Sequence, residues 1–180
     1  MKKIKLNLQV IYITALILFI VISNLIWLKI DTTPQRWDES IHLNASSGFL
    51  NTLKTNPIRI FKTFITQENF YPPLVPFLGA FFGLFNPEQD NFTHLMIIFH
   101  IILIIFTFLF AQILFDEYSA ICAATLVISF PLIFTEGHYF MFDLPLTSLV
   151  IMATYFLFKT DYFLNKKYCF LFFITSGLGM

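Results

Sequence analysis

Two acidic residues side by side, Asp38 and Glu39, follow the first long apolar run of the chain, and a third, Asp143, stands immediately before a later one. A carboxylate beside a membrane surface can take the proton of an incoming hydroxyl, and a second can orient the acceptor or bind a divalent ion. Each of these residues also has a simple structural use. Asp38 can cap a short amphipathic helix running through Phe49, with Glu39 favouring that helix's positive end. Asp143, followed by Leu-Pro-Leu, fits an N-cap with proline in the first turn. Cap and catalyst are compatible roles, and both stay open on residue type alone.

Arg36, Lys54, Arg59 and Lys62 share the polar stretch with Asp38. The guanidinium forks of Arg36 and Arg59 suit a phosphate or pyrophosphate better than point charges do, and Arg36 lies two residues from Asp38. Lys54 and Lys62 read as solvated loop residues or contacts to lipid headgroups. His94 and His100 fall on different faces of a helix, which excludes an i, i+4 metal pair. His138, with Glu136, sits near the end of an apolar run and is a further candidate for binding substrate. Cys122 and Cys169 lie inside apolar runs with no CxxC or Cys/His spacing, so they pack as small hydrophobes.

The elements that must position these groups are set by composition. Of 180 residues 57% are hydrophobic and only 12% charged, a balance suited to lipid and not to an ordinary soluble domain. Eleven Lys and Arg balance eleven Asp and Glu without a basic stripe, so nucleic acid is excluded as a partner. The expected fold is all-α, a polytopic transmembrane helical bundle forming one module over residues 1–180. Spans are expected at about 8–28, 93–115, 118–140, 144–158 and, incompletely, from 168 to 180. The first is read as an uncleaved span and not a signal peptide, because it is too long for an h-region and no A-x-A-like site follows. The run Leu74 to Phe85 opens after Pro72-Pro73 and contains Pro76, Gly79 and Gly83, so it is expected to lie at the interface within an outer loop of about 30–92.

That choice fixes the topology. Lys159, Lys166 and Lys167 then share a side with Lys2, Lys3 and Lys5, as the positive-inside rule asks, and the N-terminus is cytoplasmic. Asp38, Glu39 and Asp143 share the other side. The last run stops after about a dozen residues, too few to span, so the chain is expected to be the front of a longer polypeptide.

Three elements now stand in order: Trp37-Asp38-Glu39 after the first span, Tyr71-Pro-Pro-Leu74 before an apolar helix, and Phe142-Asp-Leu-Pro-Leu146 opening a span. From about Ile30 to Phe158 this order resembles the start of a GT-C glycosyltransferase of the protein O-mannosyltransferase and aminoarabinose-transferase type. The resemblance implies transfer of a sugar from a polyprenyl-phosphate donor to a lipid, glycan or protein hydroxyl on the extracytoplasmic face of the plasma (inner) membrane. It implies Asp38 as the essential loop Asp, proposed as base or metal-coordinating group, with Glu39 as its partner and Asp143 as the second loop Asp. No metal is certain; a divalent ion, if one takes part, would use Asp38 and Asp143. A lysine that meets the donor phosphate in the aminoarabinose branch is replaced here by Tyr71, which leaves Arg36 or Arg59 to take the phosphate. The competing expectation is a non-enzymatic membrane protein, a transporter part or assembly subunit, in which the acidic residues only cap helices.

Overall fold

The computed structural model describes residues 2–66, 71–86 and 89–178, with side chains outside that description at 2–7 and 89–90. The side chains of Lys2, Lys3 and Lys5, and Pro87 and Glu88 of the Asn86 to Asn91 turn, therefore lie outside the described residues. The order of elements is α1 (Lys2–Ile30), α2 (Trp37–Thr55), a 3-10 turn (Pro57–Arg59), α3 (Ile60–Thr66), α4 (Leu74–Gly83), α5 (Gln89–Leu114), α6 (Glu117–Ser129), α7 (Pro131–Glu136), α8 (Asp143–Lys159) and α9 (Lys166–Leu178). Among the described residues there is no strand, and the fold is a helical membrane bundle.

Leu8–Ile30 of α1 and Asn91–Leu114 of α5 are long and apolar enough to cross a bilayer. Large apolar side chains such as Leu18, Phe19, Ile22 and Ile26 remain exposed on α1, the surface that lipid must cover. The 10 residues of α4 reach only about 15 Å at ~1.5 Å per residue, half the hydrocarbon thickness. One face of α4 (Val75, Pro76, Gly79, Ala80, Gly83) is buried, because the helix lies between α2 and α5. Gly83 allows this approach: a Cβ there would collide with the Phe92 ring of α5 and come within 2.9 Å of Leu50 of α2.

The run expected as one span over 118–140 is instead two helices. Pro131 supplies no backbone N–H, and a proline disfavours helical backbone in the residue before it; Phe130 is accordingly extended, at φ −68 and ψ 120. The short α7 that follows turns the chain so that residues 136–143 cross the end of the bundle before α8 begins.

α5 is the central helix and packs against α1, α4, α6 and α8. Polar anchors fix its neighbours: Ser148 Oγ of α8 donates to Phe99 O at 2.8 Å, and His100 Nε2 meets Ile133 O of α7 at 3.2 Å. Tyr12 of α1 and Thr125 of α6 join through their hydroxyls at 2.9 Å. In an apolar bundle such bonds orient helices that greasy contact alone would let slide, each worth about 0.6–2 kcal/mol. Gly137 is placed where a Cβ would collide with the His100 ring, so the turn after α7 can close only on a glycine.

Candidate functional site

The site lies where the first turn of α2 meets the 136–143 crossing. α2 starts one residue before Asp38, so Asp38 is not its cap; it is an exposed residue of the first turn. Glu39 closes the helix start instead. Its Oε2 accepts from the Arg36 backbone N–H at 3.3 Å, and its Oε1 accepts from the Phe140 backbone N–H at 3.0 Å, 101 positions away. Only 6% of Glu39 is exposed, and its two carboxylate oxygens are both engaged, one closing the start of α2 and the other holding α2 to the crossing segment. One carboxylate of the pair is thus a brace, and its neighbour is free to face outward.

Asp143 begins α8, with Phe142 rather than Asp143 at the cap position, and it too is exposed. Among the described residues neither Asp38 nor Asp143 has a side-chain hydrogen bond or an ion-pair partner. Both carboxylates adjoin the same group, the imidazole of His42: Asp38 lies one helical turn before it on α2, and Asp143 follows Phe142, whose ring centre is 4.2 Å from the imidazole. The structure therefore brings together the two acidic residues that lie 105 positions apart in the sequence.

His42 is the residue that inspection of the sequence passed over. It is 3% exposed, with its ring edge-on to Tyr71 at 4.7 Å and to Phe142 at 4.2 Å. Tyr71 and Phe142 are themselves stacked, 5.5 Å apart and 14° from parallel. Burial holds the imidazole below its ordinary value of 6.5, more than the charges of Asp38 and Asp143 raise it. His42 is therefore neutral near pH 7. Beside this aromatic group an apolar groove of about 250 Å³ runs along Tyr71, Leu74, Phe142, Pro145, Leu146 and Leu149.

Arg36 is the cation that the fold brings to the cluster. Its guanidinium sits 3.7 Å from the centre of the Tyr139 ring, and its Nη1 pairs with Glu136 Oε1 at 3.3 Å. The arginine side chain remains 44% exposed while the glutamate is 11% exposed, so the pair has a buried and an open end. Arg59 is placed elsewhere. The turn that carries it, with α3, packs on the C-terminal half of α2, where Phe64 meets Phe49 at 6.3 Å. Phe49 is about 16 Å along the helix from Asp38. His138 is turned inward, its ring 4.8 Å from Trp27 and 4.7 Å from Phe134. It borders a polar cavity of about 50 Å³ with Asp31, Thr33 and Glu39, room for a water molecule or two but not for a sugar.

Among the described residues no three His, Cys, Asp or Glu side chains are grouped so as to hold a metal ion.

The family model for dolichyl-phosphate-mannose-protein mannosyltransferases matches residues 71–180, more than half of the chain. The chain belongs to this family. It is thereby a GT-C type membrane glycosyltransferase sequence, and the match opens on Tyr71-Pro-Pro-Leu74 and takes in the whole path from α4 through α8, Asp143 included. Asp38, Glu39 and His42 precede the matched residues of this mannosyltransferase family member, so their assignment to the site rests on the contacts described above. No curated protein and no solved structure matches the chain.

Proposed function

We propose that this chain belongs to a multi-pass plasma-membrane enzyme that transfers a sugar from a polyprenyl-phosphate donor to a hydroxyl of a lipid, glycan or protein acceptor. The N-terminus is cytoplasmic and the site faces the extracytoplasmic side. The observation that carries this reading is the placement of two exposed carboxylates, Asp38 one helical turn before the buried His42 and Asp143 next to the Phe142 ring that packs on it, in a chain of a glycosyltransferase family.

Asp38 takes the proton of the acceptor hydroxyl as its oxygen attacks the anomeric carbon, and the bond from that carbon to the phosphate oxygen breaks with its electron pair moving to the phosphate. Attack from the face opposite the phosphate inverts the anomeric centre. Asp143 orients the acceptor across from Asp38. Arg36 swings its exposed guanidinium from Glu136 towards the departing phosphate, where a planar pair of N–H donors suits two phosphate oxygens. The groove bordered by Tyr71 and Phe142 offers an apolar bed for the first isoprene units of the donor.

The test uses the full-length protein in its native membranes, with the product defined as the glycoconjugate that disappears when the gene is deleted. Asp38→Asn should lower its formation by about 10²–10⁴-fold, the range of a lost general base, and Asp143→Asn should lower it as well. Both variants should insert normally. Full product from both would overturn the reading and favour a non-enzymatic membrane component.

A further inference from the structure

The strongest unassigned feature of the site is His42. Its ring is enclosed edge-on by Tyr71 ahead of α4 and Phe142 ahead of α8, which fixes its position from two sides. Its main chain is equally fixed, since Ser46 Oγ donates to His42 O at 3.1 Å one turn further along α2. Neither ring nitrogen is taken by a hydrogen bond to another described residue, so one nitrogen is available to accept a proton. Asp38 is its i−4 neighbour, on the same face of the helix and one turn nearer the open end.

We infer that His42 is a positioning residue that acts through Asp38, receiving from its carboxyl the proton removed from the acceptor and so returning Asp38 to the carboxylate form. This rests on the reading of Asp38 as the base. The proton count closes: the acceptor O–H loses its proton to Asp38, the carboxyl passes one proton to the unprotonated nitrogen of His42, and the imidazolium releases it to water as the product leaves. The groups facing this imidazole are Asp38 from α2, Asp143 from α8 and the Tyr71 hydroxyl-bearing ring from the segment before α4. The two carboxylates stabilise the imidazolium while it lasts. Burial works against it, and that opposition favours prompt release of the proton after each transfer.

The same placement predicts a proton-dependent rate. Where His42 is already protonated it cannot receive a second proton, so His42 contributes an ionisation to the acid limb of the rate profile. His42→Phe keeps an aromatic ring against Tyr71 and Phe142 but cannot take a proton. His42→Gln keeps polarity and also cannot titrate, and it serves should the larger phenylalanine ring disturb folding.

The experiment measures the initial rate of product formation in washed native membranes from pH 4.5 to 8, for the full-length wild type, both His42 variants and Asp38→Asn. The expected result is a fall of roughly 10-fold or more in both His42 variants at pH 7 with unchanged apparent donor affinity, and an acid limb that loses one ionisation. Wild-type rates and an unchanged acid limb in either His42 variant would overturn the relay and leave the ring a packing element. If His42 variants match wild type while Asp38→Asn is inactive, only this inference fails. If Asp38→Asn itself retains full rate, the base assignment fails and the relay with it.

Discussion

The two ends of α2 treat charged residues in opposite ways. At its N-terminal turn the polar groups around the exposed Asp38 are committed to partners: Glu39 to the Phe140 and Arg36 backbone, Arg36 to Glu136 and Tyr139, His42 to Tyr71 and Phe142. In its last turn and beyond, Lys54, Arg59 and Lys62 are exposed near the exposed apolar residues Ile58, Phe61 and Ile65. Among the described residues no ion pair involves these cations. Basic and apolar side chains mixed on one exposed segment suit the boundary between headgroups and acyl chains. Charge density in the sequence is similar at both ends, so what separates a site from a membrane-surface segment is whether neighbouring elements restrict the charged groups.

The largest effect that sharpens this contrast is Glu39→Gln. A glutamine presents one oxygen and one N–H₂ group where two backbone N–H donors now meet a carboxylate, so one of the two bonds is lost and a donor is left facing a donor. A cost of about 1–3 kcal/mol is expected, read as a lowered unfolding midpoint in detergent, together with loss of transfer. Asp38→Asn should abolish transfer with an unchanged midpoint. Equal midpoints for the two variants would erase the distinction between brace and base.

A smaller effect concerns pH. Because burial lowers the folded-state value of His42 below its unfolded value, the neutral form is the one that the fold favours. Its contribution to stability is complete above the ordinary value of 6.5 and declines as the pH falls from there towards the lowered value. His42→Gln should therefore flatten the fall in unfolding midpoint between about pH 7 and pH 5. An identical slope in wild type and variant would place the histidine in a solvated environment. The smallest effect is expected at the far end of α2: Arg59→Gln combined with Lys62→Gln should change the rate by no more than about twofold, since exposed unpaired charges contribute little. A loss comparable to that of Asp38→Asn would bring Arg59 back as a phosphate ligand.

Much of this architecture can be read from the sequence, because lipid imposes long uncharged runs; the apolar stretch expected at 8–28 lies within α1, the one expected at 93–115 overlaps α5, which ends at Leu114, and Leu74 to Phe85 holds a helix too short to cross. The break at Phe130-Pro131 was signalled by the proline but hidden by the apolar residues on either side. Asp38 and Asp143 stand out as acidic residues at the edges of apolar runs. The division of labour between Asp38 and Glu39 was not legible, since it depends on a backbone N–H 101 positions away that has no identity in the sequence. His42 was missed for a related reason. A lone histidine in a polar segment has no spacing signature, and its partners become neighbours only when α4 and α8 converge on α2. His138 was singled out for its position beside Glu136, yet its ring turns into the bundle against Trp27 and Phe134.

The central claim is that Asp38 and Asp143 face one compartment and share one substrate. It is tested most directly by cysteine accessibility in intact cells, with Ser40→Cys beside the first carboxylate, Thr147→Cys one turn beyond the second, and a membrane-impermeant maleimide added outside. Labelling of both positions from the extracytoplasmic side is the predicted result. Labelling of the two from opposite sides would contradict the shared site.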